Sequence, residues 1–300
     1  MTTTFPESVP PSRHGPEPSA KQRSGINWRS IILPIAVALV VIFCLAPVLW
    51  QLLTSVKVNQ DISAVPNVYL PRRFTLDHYQ QLFARRPFWN YLLNSFFVAT
   101  ASTLLALGFG APAAYALARL RLQGERFLLA GILIVTLFPP ILLFLGLLRV
   151  VQVLNLGDNY LALILPYAAI NLPLTILVMR SFFQQLPKDL EDSAKVDGYS
   201  VTGTLLKIVL PLTLPALATT GILTFISAWN EFIFALTFIT REGMKTVPVA
   251  ASQLGGASIF EIPYGPIAAA TVLGTLPLVL LVLFFQRQII QGLTSGAVKG

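Results

Sequence analysis

The chain has 300 residues, of which 55% are hydrophobic and only 11% charged, whereas a soluble domain of this size carries roughly a quarter charged residues. With a mean hydropathy of +0.71, most of it cannot face water, and the bilayer is the expected solvent. A single cysteine, Cys44, excludes an internal disulfide or a thiolate metal cluster. The net charge of +8 is spread between apolar runs rather than gathered on one stripe, which argues against nucleic acid as a partner.

Residues 1–27 hold Pro6, Pro10, Pro11, Pro16 and Pro18 among Ser and charged residues, and read as a disordered cytoplasmic tail. The next run, 31–53, is too long for the roughly 7 to 15 apolar residues of a signal peptide and is expected to remain as a first span. Five more runs follow, at 91–118, 127–148, 160–178, 208–239 and 262–286. Each can cover the ~30 Å hydrocarbon core as a helix of roughly 20 residues. The runs are apolar at nearly every position, which rules against the alternating strands of a barrel. The expectation is an all-α polytopic membrane protein with six transmembrane helices, occupying 28–291 and followed by a cytoplasmic tail, 292–300.

With the N-terminus inside, thirteen Lys and Arg fall in inner segments and eight in outer loops, so both termini are placed in the cytoplasm. That leaves outer loops at 54–90 and 240–261 and one substantial inner loop at 179–207. No internal repeat is evident, which counts against the inverted-repeat carriers.

Glu231 is the one charge within the predicted spans. A charge at bilayer depth costs roughly 2.5 to 3.5 kcal/mol on insertion scales, and proton-coupled carriers retain several, which argues strongly against a proton relay. Two readings of Glu231, beside Trp229 and Asn230, stay open: a polar patch on a translocation path, or a helix-end carboxylate bonded to a neighbouring helix. Asn94 and Asn171 are further path candidates, although intramembrane asparagines also serve as interhelical glue. Scarcity of fixed charge favours a neutral, hydroxyl-rich cargo. Pro139, Pro140, Pro166, Pro173, Pro211, Pro215 and Pro277 interrupt the later spans and suit a bundle that opens and closes.

The inner loop carries the most information. Pro187 suits a first helical turn, and Asp189, Glu191 and Asp192 complement the positive end of its dipole. Gly198 fits the left-handed position past the helix, and Ser200 or Thr202 can cap a second short helix. The expected product is a helix-turn-helix on the inner face. Its spacing, Asp192-Ser193-Ala194, then Gly198, Ile208 and Leu210-Pro211, resembles the EAA loop of ATP-binding-cassette importer permeases. Asp192 stands where that pattern has Glu, and Ser193 where it has the first Ala.

Further segments, Phe74 to Tyr79, Asn94 to Phe96, Ala114 to Arg119 and Trp229 to Phe232, are similar to the carbohydrate-uptake branch of that family. The ending from Gln286 to Gly300 is similar to the maltose-type second permease. The resemblance implies a type I importer permease fold in a bacterial or archaeal plasma membrane. It also implies a heterodimer with a second homologous permease, two ATPase subunits and an extracytoplasmic solute-binding protein.

By the same resemblance the loop 187–211 docks on an ATPase through Leu190, Glu191, Asp192, Ser193, Ala194, Asp197, Gly198, Ile208, Leu210 and Pro211. Small residues are expected at that contact, so that the two backbones approach closely. The C-terminal contact is carried by Gly292, Gly296, Lys299 and Gly300. No cofactor is expected on this chain, and ATP-Mg belongs to the partner subunits; no phosphate loop of the GxxxxGK[ST] kind is present. A secondary carrier or channel for small polar solutes is the alternative, and an intramembrane enzyme lacks its catalytic constellation.

Overall fold

A computed structural model describes residues 28–120, 122–255 and 262–295. The predicted tail 1–27 and Gly296, Lys299 and Gly300 lie outside the described residues. The chain divides into two compact units, Met1–Val48 and Leu49–Gly300. The described part of the first is the opening of helix α1 (Trp28–Ser55), which carries Pro34 and Pro47.

In the second unit, α2 (Asn59–Ile62) and α3 (Asp77–Arg85) occupy the first predicted outer loop, and α4 (Phe88–Arg119) is the next long apolar helix. Helices α5 (Glu125–Leu137) and α6 (Phe144–Val153) follow, with a 3-10 turn at Pro140–Leu143 between them. Then come α7 (Leu161–Gln185), α8 (Asp189–Val196) and α9 (Val201–Thr204). A π-helical turn at Leu205–Val209 leads through α10 (Leu210–Leu212) into α11 (Leu214–Trp229) and α12 (Ile233–Phe238). A 3-10 turn at Glu242–Met244, α13 (Val247–Ser252) and α14 (Tyr264–Ser295) complete the order. Among the described residues there is no strand, only an isolated bridge between Lys57 and Phe74.

Among the described residues, four helices are long and apolar enough to cross a membrane, within α1, α4, α7 and α14. Two bent pairs bring the number to six when each counts as one span. Glu125–Leu137 and Pro140–Val153 meet at 91°, and Val201–Leu212 and Leu214–Trp229 at 82°. The first bend has a local cause. Pro139 forces Phe138 out of the helical region to φ −74°, ψ 127°, Pro139 is itself extended, and Pro140 has no N–H to donate. The second falls at Thr213, whose Oγ1 donates to Val209 O at 2.9 Å just ahead of Pro215.

These breaks correct the predicted runs. The third, 127–148, is two helices, and Arg149 lies inside α6 rather than in an outer loop. The fourth extends through Arg180 to Gln185. The fifth is not continuous from 208 to 239: Ile208, Leu210 and Pro211 precede the bend, and α11 stops at Trp229.

Lipid is as apolar as leucine, so the hydrophobic effect does not hold membrane helices together, and close backbone approach must contribute instead. Helices α4 and α7 achieve it through small residues. Gly110 sits so close to α7 that a Cβ there would lie 2.5 Å from Thr175 Cγ2. Ala99, Ala106 and Ala114 are likewise buried. One core cluster gathers Tyr91, Tyr167, Phe225, Trp229, Phe234 and Phe238, and a second gathers Tyr115, Met179, Phe183 and Val209. Outside them, Phe127, Leu137 and Phe284 are large apolar side chains left exposed.

Candidate functional site

Helix α8 forms where the acidic first turn of Asp189, Glu191 and Asp192 meets its N-terminal dipole, with Lys195 in the last turn. Its first amides are taken by Lys188, whose carbonyl accepts from Glu191 N at 2.9 Å and Asp192 N at 3.1 Å. Pro187 therefore stands one residue ahead of the cap, not in the first turn. The C-terminus closes in a Schellman arrangement: Tyr199 N donates to Ala194 O at 2.9 Å and Gly198 N to Lys195 O at 3.1 Å. Gly198 has φ +81°, the left-handed backbone that glycine adopts without strain. Ser200, and not Thr202, caps α9, its Oγ accepting from Gly203 N at 3.2 Å.

The two faces of α8 differ. Glu191 and Ala194, three residues apart and so on one side, turn inward, and Ala194 is 1% exposed. Asp192, Ser193, Lys195, Asp197 and Gly198 are exposed, and Val196 stands out with 88% of its surface free. Leu190 is half-buried. This corrects the expectation for the small pair: Ala194 lets α8 lie close on this chain's own helices, and only Ser193 is outward. A hydrogen bond from Lys195 to Asp192, at 2.8 Å, holds the Asp192 carboxyl below its ordinary value.

The inward face is fastened by Arg119 at the end of α4. Its Nη2 donates to Leu186 O at 2.6 Å. Its Nε lies 2.9 Å from Glu191 Oε1 in an ion pair whose N–H is not aimed along the contact. A second clamp joins Arg180 of α7 to Glu125 of α5 at 2.6 Å. Sequence reasoning placed Arg119 in a family motif and gave it no contact; a cation at a span's inner end, facing an acidic loop, was the available signal.

Glu231 lies in the break between α11 and α12, not within a helix. Its Oε1 accepts from Phe234 N at 3.0 Å, and its Oε2 from Ala235 N at 3.2 Å and from the Tyr167 hydroxyl. The carboxylate thus satisfies the opening amides of α12 and crosses to α7, and it also lines a cavity of about 170 Å³ with Tyr167, Asn171 and Ser227. An adjoining cavity of about 400 Å³ at the α5–α6 break shares Pro140, Ile170 and Asn171. Asn171 is buried, and its Nδ2 donates to Tyr167 O at 2.8 Å. Tyr167 was missed, though it lies one helical turn before Asn171 and so on the same face.

The other path candidates do not join this cavity. Trp229 is buried with its Nε1 donating to Gly274 O at 3.1 Å, which ties α11 to α14. Asn230 bonds back to Ile226 O at 2.9 Å on the surface. Asn94 donates to Gly243 O and Lys245 O, at 2.9 and 3.0 Å, so its amide donors are spent on the segment after α12, and it accepts from the Tyr160 hydroxyl ahead of α7 at 2.8 Å.

That segment is held by two further carboxylates. Glu242 meets Arg86 Nη1 at 2.9 Å, the Tyr91 hydroxyl at 2.5 Å and Lys245 Nζ. The Lys245 and Tyr91 hydrogen bonds lead in pulling the Glu242 carboxyl down to about 2. Asp158 accepts from Thr240 N at 2.6 Å and Arg241 N at 2.9 Å, and its carboxyl is lowered chiefly by the Arg241 amide. Gly292 falls within α14.

A family model for the inner membrane component of binding-protein-dependent transport systems matches residues 106–295. The sulfoquinovosyl glycerol transport system permease protein SmoH of Agrobacterium fabrum is 39% identical, over 89% of this chain and 93% of its own length. The trehalose transport system permease protein SugB of Mycobacterium tuberculosis is 40% identical, over 87% of this chain and 95% of its own. The trehalose/maltose permease protein MalG of Thermococcus litoralis is 38% identical, over 91% and 98%.

A solved bacterial ABC transporter involved in import of the acidic polysaccharide alginate shares the fold, with a TM-score of 0.75 at 23% identity over 90% of this chain and 99% of that one. Helical architecture, several helices able to span a membrane, and similarity over nearly the full length of permease proteins agree: the chain is a multi-pass membrane protein of the family of inner membrane components of binding-protein-dependent transport systems.

Proposed function

We propose that this chain is a permease subunit of an ATP-driven importer for a sugar or sugar-like neutral solute, lining half of the translocation path and coupled to an ATPase through α8. The observation that carries the reading is the two-sidedness of α8. Its inner face is bolted to α4 through Glu191 and Arg119, while Asp192, Ser193, Val196 and Asp197 stand exposed around a left-handed Gly198. A rigid helix with one face fixed and one face free is what a force-transmitting contact needs.

A second related permease, two ATPase subunits holding ATP-Mg and an extracytoplasmic binding protein complete the assembly. The binding-protein-dependent family supports the extracytoplasmic binding protein, and the trehalose and trehalose/maltose transport names of its relatives support a sugar as cargo. Both termini face the cytoplasm, consistent with the excess of Lys and Arg in the inner segments. Closure of the ATPases would pull on α8, and the bends at Pro139 and Thr213 give the bundle its points of flexure. The cavity beside Tyr167, Asn171 and Ser227 is the proposed contact with solute, and Glu231 holds its wall in place through α12.

The test is uptake into proteoliposomes holding the assembled complex, with radiolabelled trehalose and maltose and the cognate binding protein outside. Uptake that requires both ATP and the binding protein supports the reading. Uptake driven by an ion gradient without ATP overturns it in favour of a secondary carrier.

A further inference from the structure

A polar cavity of about 200 Å³, sharing no lining residue with α8 or with the Glu231 cavity, lies at the C-terminal end of α1 and is lined by Trp50, Thr54, Lys57, Asp61, Asn67 and Tyr264. Two of these are buried charges: Lys57 is 2% exposed and Asp61 5%. Burying an ion is costly unless it is paired and hydrogen-bonded, yet these two do not pair with each other. Lys57 Nζ donates to Val68 O at 2.7 Å and sits 4.4 Å over the Trp50 ring. Those are its contacts among the described residues, and an ammonium has three donors.

Asp61 Oδ2 accepts from Arg72 N at 2.9 Å, and among the described residues its Oδ1 has only the exposed Arg72 guanidinium, 4.0 Å away. Thr54 Oγ1 is buried with no partner among the described residues. The cavity therefore offers a cation and a hydroxyl with donors to spare on one side, and a carboxylate with acceptor capacity on the other.

Its position narrows the ligand. Helix α1 is one of the four membrane-crossing helices, and Tyr264 opens another, α14. Trp50 meets Tyr69 edge-on at 6.2 Å, and exposed Trp and Tyr rings at span ends mark the membrane–water boundary. One turn into α1, Leu49 and Leu52 are exposed apolar side chains. A ligand here would have its polar end in the cavity and its apolar end against α1.

We propose that this cavity holds the head group of a zwitterionic phospholipid. Lys57 Nζ and Thr54 Oγ1 donate to phosphate oxygens, Asp61 accepts from the head-group ammonium, and the acyl chains leave along Leu49 and Leu52. A phosphodiester answers the unused donors, and a head-group amine answers the acidic wall, which would repel an anionic head group. The binding requires only the membrane-spanning character of the chain, so it stands or falls separately from the transported solute.

The experiment uses the assembled transporter, delipidated in detergent, and follows its thermal midpoint against dihexanoyl phosphatidylethanolamine, dihexanoyl phosphatidylglycerol, free phosphoethanolamine and trehalose. Saturable stabilisation by the ethanolamine lipid, exceeding that by the glycerol lipid, is expected. Asp61→Asn should abolish the preference between the two lipids. Thr54→Val, which leaves the Lys57 to Val68 tether intact, should weaken ethanolamine-lipid binding about 2- to 10-fold, the loss of one hydrogen bond. Stabilisation by phosphoethanolamine or trehalose but not by the lipid, or lipid binding unchanged in both Thr54→Val and Lys57→Met, overturns the proposal.

Discussion

Arg119 Nε lies 2.9 Å from Glu191 Oε1, with both side chains nearly enclosed, so the end of α4 grips the first turn of α8. The same guanidinium holds Leu186 O at the end of α7. Three helices thus meet on one cation, and under the proposed function a displacement of α8 would be carried into α4 and α7.

Removing one partner of a buried pair leaves the other uncompensated, at a cost of about 3 kcal/mol. Glu191→Gln is therefore expected to leave co-purification with the ATPase intact while lowering solute taken up per ATP hydrolysed. The exchanged pair Arg119→Glu with Glu191→Arg should recover part of that ratio. Measurement of uptake and hydrolysis in the same proteoliposomes checks both.

Gly198 has open space where a Cβ would stand, so a substitution there meets backbone strain rather than a clash. A bulky residue at φ +81° costs about 1–2 kcal/mol, whereas Asn visits that region readily. Gly198→Val should insert normally but uncouple transport from hydrolysis, and Gly198→Asn should retain coupling. Equal loss in both variants would assign the position to side-chain contact instead of backbone angle.

For Glu231 the hydrogen bonds point to stability before solute affinity. Both oxygens are engaged by the Phe234 and Ala235 amides and by Tyr167. Glu231→Gln removes the charge at the start of α12 and should lower the thermal midpoint, a loss of about 1 kcal/mol by analogy with helix caps. The transport KM should stay within about twofold, since one tenfold change corresponds to about 1.4 kcal/mol. A tenfold change in KM with an unchanged midpoint would place the carboxylate on the solute.

Glu242 supplies a pH signature. Its carboxyl is held down to about 2, first by Lys245 and then by Tyr91, against an ordinary value near 4.5. A depressed folded-state value contributes stability that is fully present above the ordinary value and is lost as pH falls toward 2. Solvent screens this half-exposed group, so the effect is small. The midpoint difference between wild type and Glu242→Gln should be constant from pH 5 to 8 and shrink below about pH 4.5; a difference that grows on acidification would contradict the assignment.

Gly110→Val tests the α4–α7 seam. The added carbon would lie 2.5 Å from Thr175 Cγ2, and overpacking of this kind costs about 1–3 kcal/mol. Reduced assembly yield is expected, with partial recovery in Gly110→Val combined with Thr175→Ala. Unaltered yield in the single variant would mean the two helices separate freely.

Apolar runs longer than the bilayer is thick determine, without any tertiary information, that this chain spans a membrane as helices, because lipid offers a bare backbone no other partner. Local chemistry was as legible around α8: the acidic first turn, the left-handed Gly198 and the Ser200 cap depend on neighbours within a few residues. Hydropathy averages over a window, so it ran across the breaks at Pro139, Thr213 and Asn230 and left Glu231 inside a continuous helix that the chain does not form. Which face of α8 is free was decided only in three dimensions. The loop's own sequence holds Glu191, Ala194 and Ser193 with equal claim to the outside, and it is Arg119, 72 positions from Glu191, that turns the first two inward.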